Sequence, residues 1–221
     1  MKTKHKWRLC PLGEYWKRAH PRKGTKGVKG HCAKNPTKKD QIYSVELEYI
    51  AEKYFDKLKG PPSNNTLKYP QGNKFDKLIR GWCKYWNDVF PSDEPLDPNM
   101  VKALIATESG FRATIRIKDG KGQGYATGLM QVTDTTQKIL CDEKGELTDH
   151  LVNVDQKELK NPNLNIAAGT RWLFRKREIA SSSLGRNASW EETIMKYKGY
   201  KDPNHEQMVK LRNLYKRLKD E

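Results

Sequence analysis

The 221-residue chain contains no apolar run long enough to cross a bilayer, and its opening, MKTKHKWRLCPLGEYW, sets basic residues before no apolar stretch. Neither a membrane span nor a self-contained export signal is therefore expected. Cysteine is scarce: four copies, at 10, 32, 83 and 141, are too few for a disulfide scaffold and include no C-x-x-C pair, so the redox compartment stays open. Cys10, His20, His31 and Cys32 could together offer four zinc ligands, but their spacing matches no standard finger, and neither metal nor cofactor is expected. No internal repeat interrupts the reading.

Acidic residues are also few, with 27 Asp and Glu against 43 Lys and Arg, a net charge of +16. The imbalance is concentrated at the start, where residues 1–40 hold 13 basic side chains against Glu14 and Asp40 alone. Such a field attracts nucleic acid, anionic lipid or acidic cell-wall polymer, or simply solvates an arm. Six tryptophans, ten tyrosines and five phenylalanines argue for a folded chain despite a charged fraction of 32%. The length allows one domain with an appendage, or two small ones.

Along the chain, residues 1–40 show no sustained periodicity and predict loops and turns pinned by Trp7, Tyr15 and Trp16. From 41 to 96 a helical segment is expected. Leu47, Ile50, Ala51, Tyr54 and Leu58 share one helical face ended by Gly60-Pro61-Pro62, and Leu78, Ile79, Trp82 and Trp86 mark a second helix near 74–89. The third unit, 97–221, opens with Asp97 as an N-cap and Pro98 at the first helical position, predicting a helix over 98–109 that Gly110 closes in a left-handed conformation. A glycine-rich loop, KDGKGQGYATG, follows. Further helices are expected near 133–141, from Asn161-Pro162 through Leu164, Ala168, Trp172 and Ile179, and over 189–197 and 204–219. Within the long one, Ala167-Ala168-Gly169 would permit close backbone approach. The fold is expected to be mainly α.

Inside the first helix of that third unit, VKALIATESGF at 101–111 places Val101, Leu104 and Ile105 on an apolar stripe that Glu108 completes. A carboxyl kept in apolar surroundings resists ionisation and suits a general acid; the structural alternative is that Glu108 bonds the backbone or pairs with a basic neighbour.

The order of Glu108-Ser109-Gly110-Phe111, Gly128-Leu129-Met130-Gln131-Val132, Asn165-Ile166-Ala167-Ala168-Gly169 and Tyr197-Lys198-Gly199-Tyr200 resembles the catalytic domain of soluble lytic transglycosylases over about residues 97–200. The resemblance implies a lysozyme-like α-helical domain, here behind a basic, loop-rich N-terminal extension and the helices of 41–96. It implies cleavage of peptidoglycan between N-acetylmuramic acid and N-acetylglucosamine, with Glu108 as sole catalytic acid and base and a 1,6-anhydro product. Ser109, Gly128, Met130, Gln131, Asn165 and Tyr197 would contact substrate, Gln131 through its amide, while the Tyr197 hydroxyl would position the glutamate. Lys198 departs from the family's usual asparagine.

A hydrolase would instead need a second carboxylate to activate water, and Asp119 and Asp134 flank the GLMQV element, whose surroundings also resemble goose-type lysozymes. Structurally, Leu129 and Met130 also read as core, Ala167 to Gly169 as helix packing, Tyr197 as a helix anchor and Ser109 as a cap. Glycan strands are the expected partner, with anionic wall polymers held by residues 1–40. Nucleic acid, stacking on Trp7, Tyr15 and Trp16, is an alternative that leaves the ordered motifs unexplained, and an inactive wall-binding module is another. Action at the cell wall or in the periplasm is expected, reached through a phage lysis or tail system or a specialised secretion route.

Overall fold

The computed structural model describes residues 6–17, 19, 29–37 and 39–220. Nearly half of these lie in helices, the dominant element: α1 (Ser44–Tyr54), α2 (Asp76–Val89), α3 (Pro98–Glu108), α4 (Asp134–Cys141), α5 (Pro162–Leu184), α6 (Trp190–Lys198) and α7 (Glu206–Lys219). The mainly α reading holds. Local chemistry sets the starts: the Asp97 side chain accepts the Asn99 N–H at 2.8 Å, and Asn161 accepts that of Asn163 at 2.9 Å, each with proline in the first turn. Ser189 and Glu192 form a reciprocal capping box at α6. Gly110 follows α3 with φ +57°, the left-handed closure expected of it.

Helix α5 runs through the middle and packs against α1, α2 and α6, while α3 lies between α2 and α7. Two indoles lock α2 to α5. Trp86 donates to the Ala167 carbonyl at 3.0 Å and Trp82 to Asn163 Oδ1 at 2.8 Å, so both large side chains are buried with their polar edges satisfied. A Cβ at Gly169 would fall 2.6 Å from the Met130 sulfur, which is the close approach that the Ala167-Ala168-Gly169 patch permits. The buried apolar side chains form one cluster reaching from Trp7 and Ile42 to Leu211 and Leu218.

The strands are short. β1 (Glu14–Lys17) pairs antiparallel with β2 (His31–Lys34), and β3 (Gln41–Tyr43) lies parallel to β7 (Leu151–Asn153). β4 (Arg116–Lys118), β5 (Tyr125–Thr127) and β6 (Val132–Thr133) make an antiparallel sheet that carries the glycine-rich loop.

Three expectations change here. The first helix of 41–60 stops at Tyr54 and tightens into a 3-10 turn, Phe55–Lys57, which sends Phe55 inward to meet Trp82 edge-on at 5.1 Å. The described residues of 1–40 form more than loops, because β1 and β2 pair as a hairpin that a Cys10–Cys32 disulfide ties down. That bond consumes both thiols, so the four-ligand zinc reading fails; His20 lies outside the described residues, and the His31 ring faces the Lys29 carbonyl.

The third change concerns Arg8, which belongs to no solvated arm. Its guanidinium is fully buried and donates to Asp40 at 2.6 Å, to Glu46 at 2.7 Å and to the Gln41 carbonyl at 2.8 Å. His150 adds a contact to the same Asp40 oxygen at 3.2 Å. Burial pushes the Asp40 carboxyl up, but the His150 hydrogen bond and the Arg8 charge outweigh it and hold the group below the usual carboxylate range. The cluster therefore clamps the N-terminal segment to β3, and β3 to the helical body through β7. Arg8→Met should strand two buried carboxylates and cost about 3–5 kcal/mol, read as a lower urea midpoint. An unchanged midpoint would show that the clamp contributes nothing to stability.

Candidate active site

Val101, Leu104 and Ile105 are fully buried, and one turn further along the same stripe Glu108 emerges where the core gives way to a cleft of about 710 Å³. Its side chain is 16% exposed, and its carboxylate is not isolated. Lys198, the last residue of α6, reaches across with its Nζ 2.5 Å from Glu108 Oε1 and its side chain only 4% exposed. The apolar setting expected around this carboxyl is thus replaced by an ion pair with a basic neighbour. Before Glu108 can carry a proton to donate, that pair must open.

Two more expected residues share the cleft wall. Tyr197 lies there, but its hydroxyl donates to the Met130 carbonyl at 2.6 Å rather than to the glutamate, so it braces the GLMQV turn instead of positioning Glu108 directly. Burial, and then the Glu108 charge, push this phenol well above its ordinary value, which keeps it a donor. Gln131 also faces the cleft with φ +48°, and its amide nitrogen donates back to the Gly128 carbonyl at 2.8 Å.

Four others stand behind the wall. Asn165 is fully buried and satisfies three backbone groups at once: its amide nitrogen donates to the carbonyls of Thr127 and Leu159, both at 2.9 Å, and its oxygen accepts the Met130 N–H at 2.8 Å. Gly128 has φ +78°, and a Cβ there would meet the Asn165 amide nitrogen at 2.3 Å, so glycine is required by space as well as by backbone angle. Met130 is fully buried. Ser109 is 1% exposed, with its hydroxyl donating to the Ile105 carbonyl at 3.2 Å. The expected substrate contact does not fit the positions of Asn165, Gly128, Met130 or Ser109; they shape the turn that carries Gln131.

The candidates for a second carboxylate separate in the same way. Asp119 faces the Glu108 cleft and closes the glycine-rich turn by accepting the N–H groups of Lys121 at 2.8 Å and Gln123 at 3.1 Å. Asp134, at the start of α4, is absent from the cleft wall and engages the Tyr125 N–H at 3.0 Å and Arg116 at 3.5 Å. Only Asp119 is brought to the site.

Sequence reasoning missed the lysines. Six of them, at 118, 121, 176, 196, 198 and 201, line this one cleft against the carboxylates of Glu108 and Asp119. Lys121 donates to the Lys198 carbonyl at 2.8 Å and lies over the Tyr200 ring at 5.4 Å, joining the glycine-rich loop to the end of α6. Lys176 lies 4.5 Å from the centre of the Trp172 ring, and burial pushes its ammonium below its usual range. A signal was present in the lysines of KYKGYK, though the general excess of lysine hid it. A second hollow of about 860 Å³ at the other end of α3, around Asp97, Trp190 and Tyr215, holds none of the expected site residues.

Among the described residues no group of three or more His, Cys, Asp or Glu could hold a metal, and no helix is long and apolar enough to cross a membrane. No curated protein matches the chain. Residues 92–205, more than half of it and inclusive of Glu108, Asp119, Gln131 and Tyr197, match the family model described as Transglycosylase SLT domain. The chain therefore belongs to the transglycosylase SLT domain family, lysozyme-like and mainly α, with a peptidoglycan-cleaving function of the lytic transglycosylase type.

Proposed function

We propose that the chain cleaves the β-1,4 bond between N-acetylmuramic acid and N-acetylglucosamine, leaving 1,6-anhydromuramic ends, with Glu108 as the one acid and base. The observation that carries this reading is the placement of Glu108, which ends a buried helix at the cleft of a domain from this family. Once the pair with Lys198 opens, a protonated Glu108 donates to the glycosidic oxygen as an oxocarbenium-like state develops. The resulting carboxylate then accepts the proton of the muramic 6-hydroxyl, whose oxygen closes the ring on the anomeric carbon. No water is consumed.

Hydrolysis is the second reading, and the presence of Asp119 in the same cleft is what favours it, since an inverting hydrolase places a base across the sugar from its acid. Asp119 already accepts two backbone N–H groups, which assigns it a turn-forming role without any water. The site of action in this proposal is the cell wall or periplasm. The Cys10–Cys32 bond supports a location outside reducing compartments. Residues 1–40 would add attachment to anionic wall polymers through exposed lysines such as Lys17, Lys29 and Lys34.

Two predictions follow from these roles. Glu108→Gln keeps the size of the side chain but cannot supply the acid, so release of soluble glycan should fall by at least about 10²-fold with an unchanged circular dichroism spectrum, whereas Asp119→Asn should retain substantial cleavage. Near-native turnover by a folded Glu108→Gln protein removes the assignment, and an equal loss in Asp119→Asn transfers it to the hydrolase reading. Changing Lys17, Lys29 and Lys34 together to glutamine should weaken co-sedimentation with peptidoglycan at low salt and make little difference at high salt, where screening already suppresses the attraction. Sedimentation unaltered at every ionic strength would deny the arm this role.

A further inference from the structure

The cleft is more basic than glycan cleavage by a single carboxyl requires. Six lysines stand against Glu108 and Asp119, and Asp119 is already tied to the backbone of its own turn. Among these charges the Lys198 ammonium is closely enclosed: its side chain is 4% exposed, and its partner is the carboxylate that the proposed reaction needs free. An enclosed ammonium that loses its ion-pair partner bears a desolvation penalty, so it releases Glu108 most readily when another anion takes its place. The neighbouring Lys118, Lys121, Lys196 and Lys201 draw such an anion into the cleft.

Building on the transglycosylase reading, we infer that Lys198 is a specificity-determining latch: at rest it holds Glu108, and a carboxylate borne by the peptide side chains of the glycan strand draws the ammonium away and frees Glu108 for the reaction. The substrate class is thereby narrowed to glycan strands that carry free carboxylates close to the cleaved bond. A neutral strand would meet a cleft in which Glu108 stays paired. Lys198 acts through Glu108 and through the substrate's charge, which makes it a positioning residue with its own measurable signature, the preference for charged over neutral strands.

The experiment compares purified peptidoglycan with the same material after carbodiimide amidation, which turns its carboxylates into neutral carboxamides without cutting the strands. Product release and low-temperature binding are both measured for the wild-type chain, Lys198→Gln and Lys198→Arg. The wild type should prefer the native material by about tenfold in kcat/KM, as expected for one charge-assisted contact. Lys198→Gln should bring the ratio close to one, and Lys198→Arg, which keeps the charge, should restore most of it. A ratio near one for the wild type, or a tenfold ratio that survives in Lys198→Gln, overturns the inference while leaving glycan cleavage in place. Should neither material be cleaved, the catalytic reading fails instead; a binding preference for the native form that vanishes in Lys198→Gln would then still support the latch, and its persistence would refute it.

Discussion

The side chain of Asn165 ties the turn before α5 to the bend that joins β5 to β6. Its amide bonds the end of β5 at Thr127, the turn before α5 at Leu159 and the backbone of Met130. Each of these hydrogen bonds is buried, so losing the amide would remove a partner from all three backbone groups, at about 1–3 kcal/mol for each one left unsatisfied. The GLMQV turn is fixed by this constraint from below and by the Tyr197 hydroxyl from α6. Gln131 inherits its position from it, while Glu108 is placed by the end of α3 and by Lys198. Residues that read as substrate contacts are in this way the frame on which the contacts stand.

Charge shapes the other half of the site. A chain at +16 has lysine to spare on every surface, yet its two most consequential cations are enclosed ones. Arg8 vanishes into a cluster with Asp40 and Glu46 that anchors the N-terminal hairpin. Lys198 occupies the candidate acid itself. Burial magnifies both interactions, because an ammonium or guanidinium removed from water depends on its partners far more than a solvated one does. Exposed basic residues, by contrast, provide long-range attraction that salt suppresses.

Much of this was legible in the chain. Asp97-Pro98 and Asn161-Pro162 announce helix starts through chemistry confined to three residues, and the stripes on α2 and α5 follow from spacing alone. The same is true of Glu108 at the end of its stripe. What escaped notice depends on distant partners: Arg8 lies 38 residues from Glu46, Lys198 is 90 from Glu108, and β3 pairs with a strand more than 100 residues on. Three- and four-residue strands such as EYWK and QIY are too short for alternation to register. Asn165, Gly128 and Ser109 read in the sequence as substrate contacts, because a motif cannot tell a residue that touches a ligand from one that braces its neighbour.

In the proposed reaction Glu108 completes both proton transfers with no water added to the glycan. Digesting purified peptidoglycan in ¹⁸O-enriched water and weighing the released muropeptides tests this directly, since intramolecular attack by the 6-hydroxyl brings no solvent oxygen to the anomeric carbon. Unlabelled 1,6-anhydromuramic ends should be the main product. Reducing muramic ends carrying ¹⁸O would contradict this and give the water-activating role to a second group in the cleft.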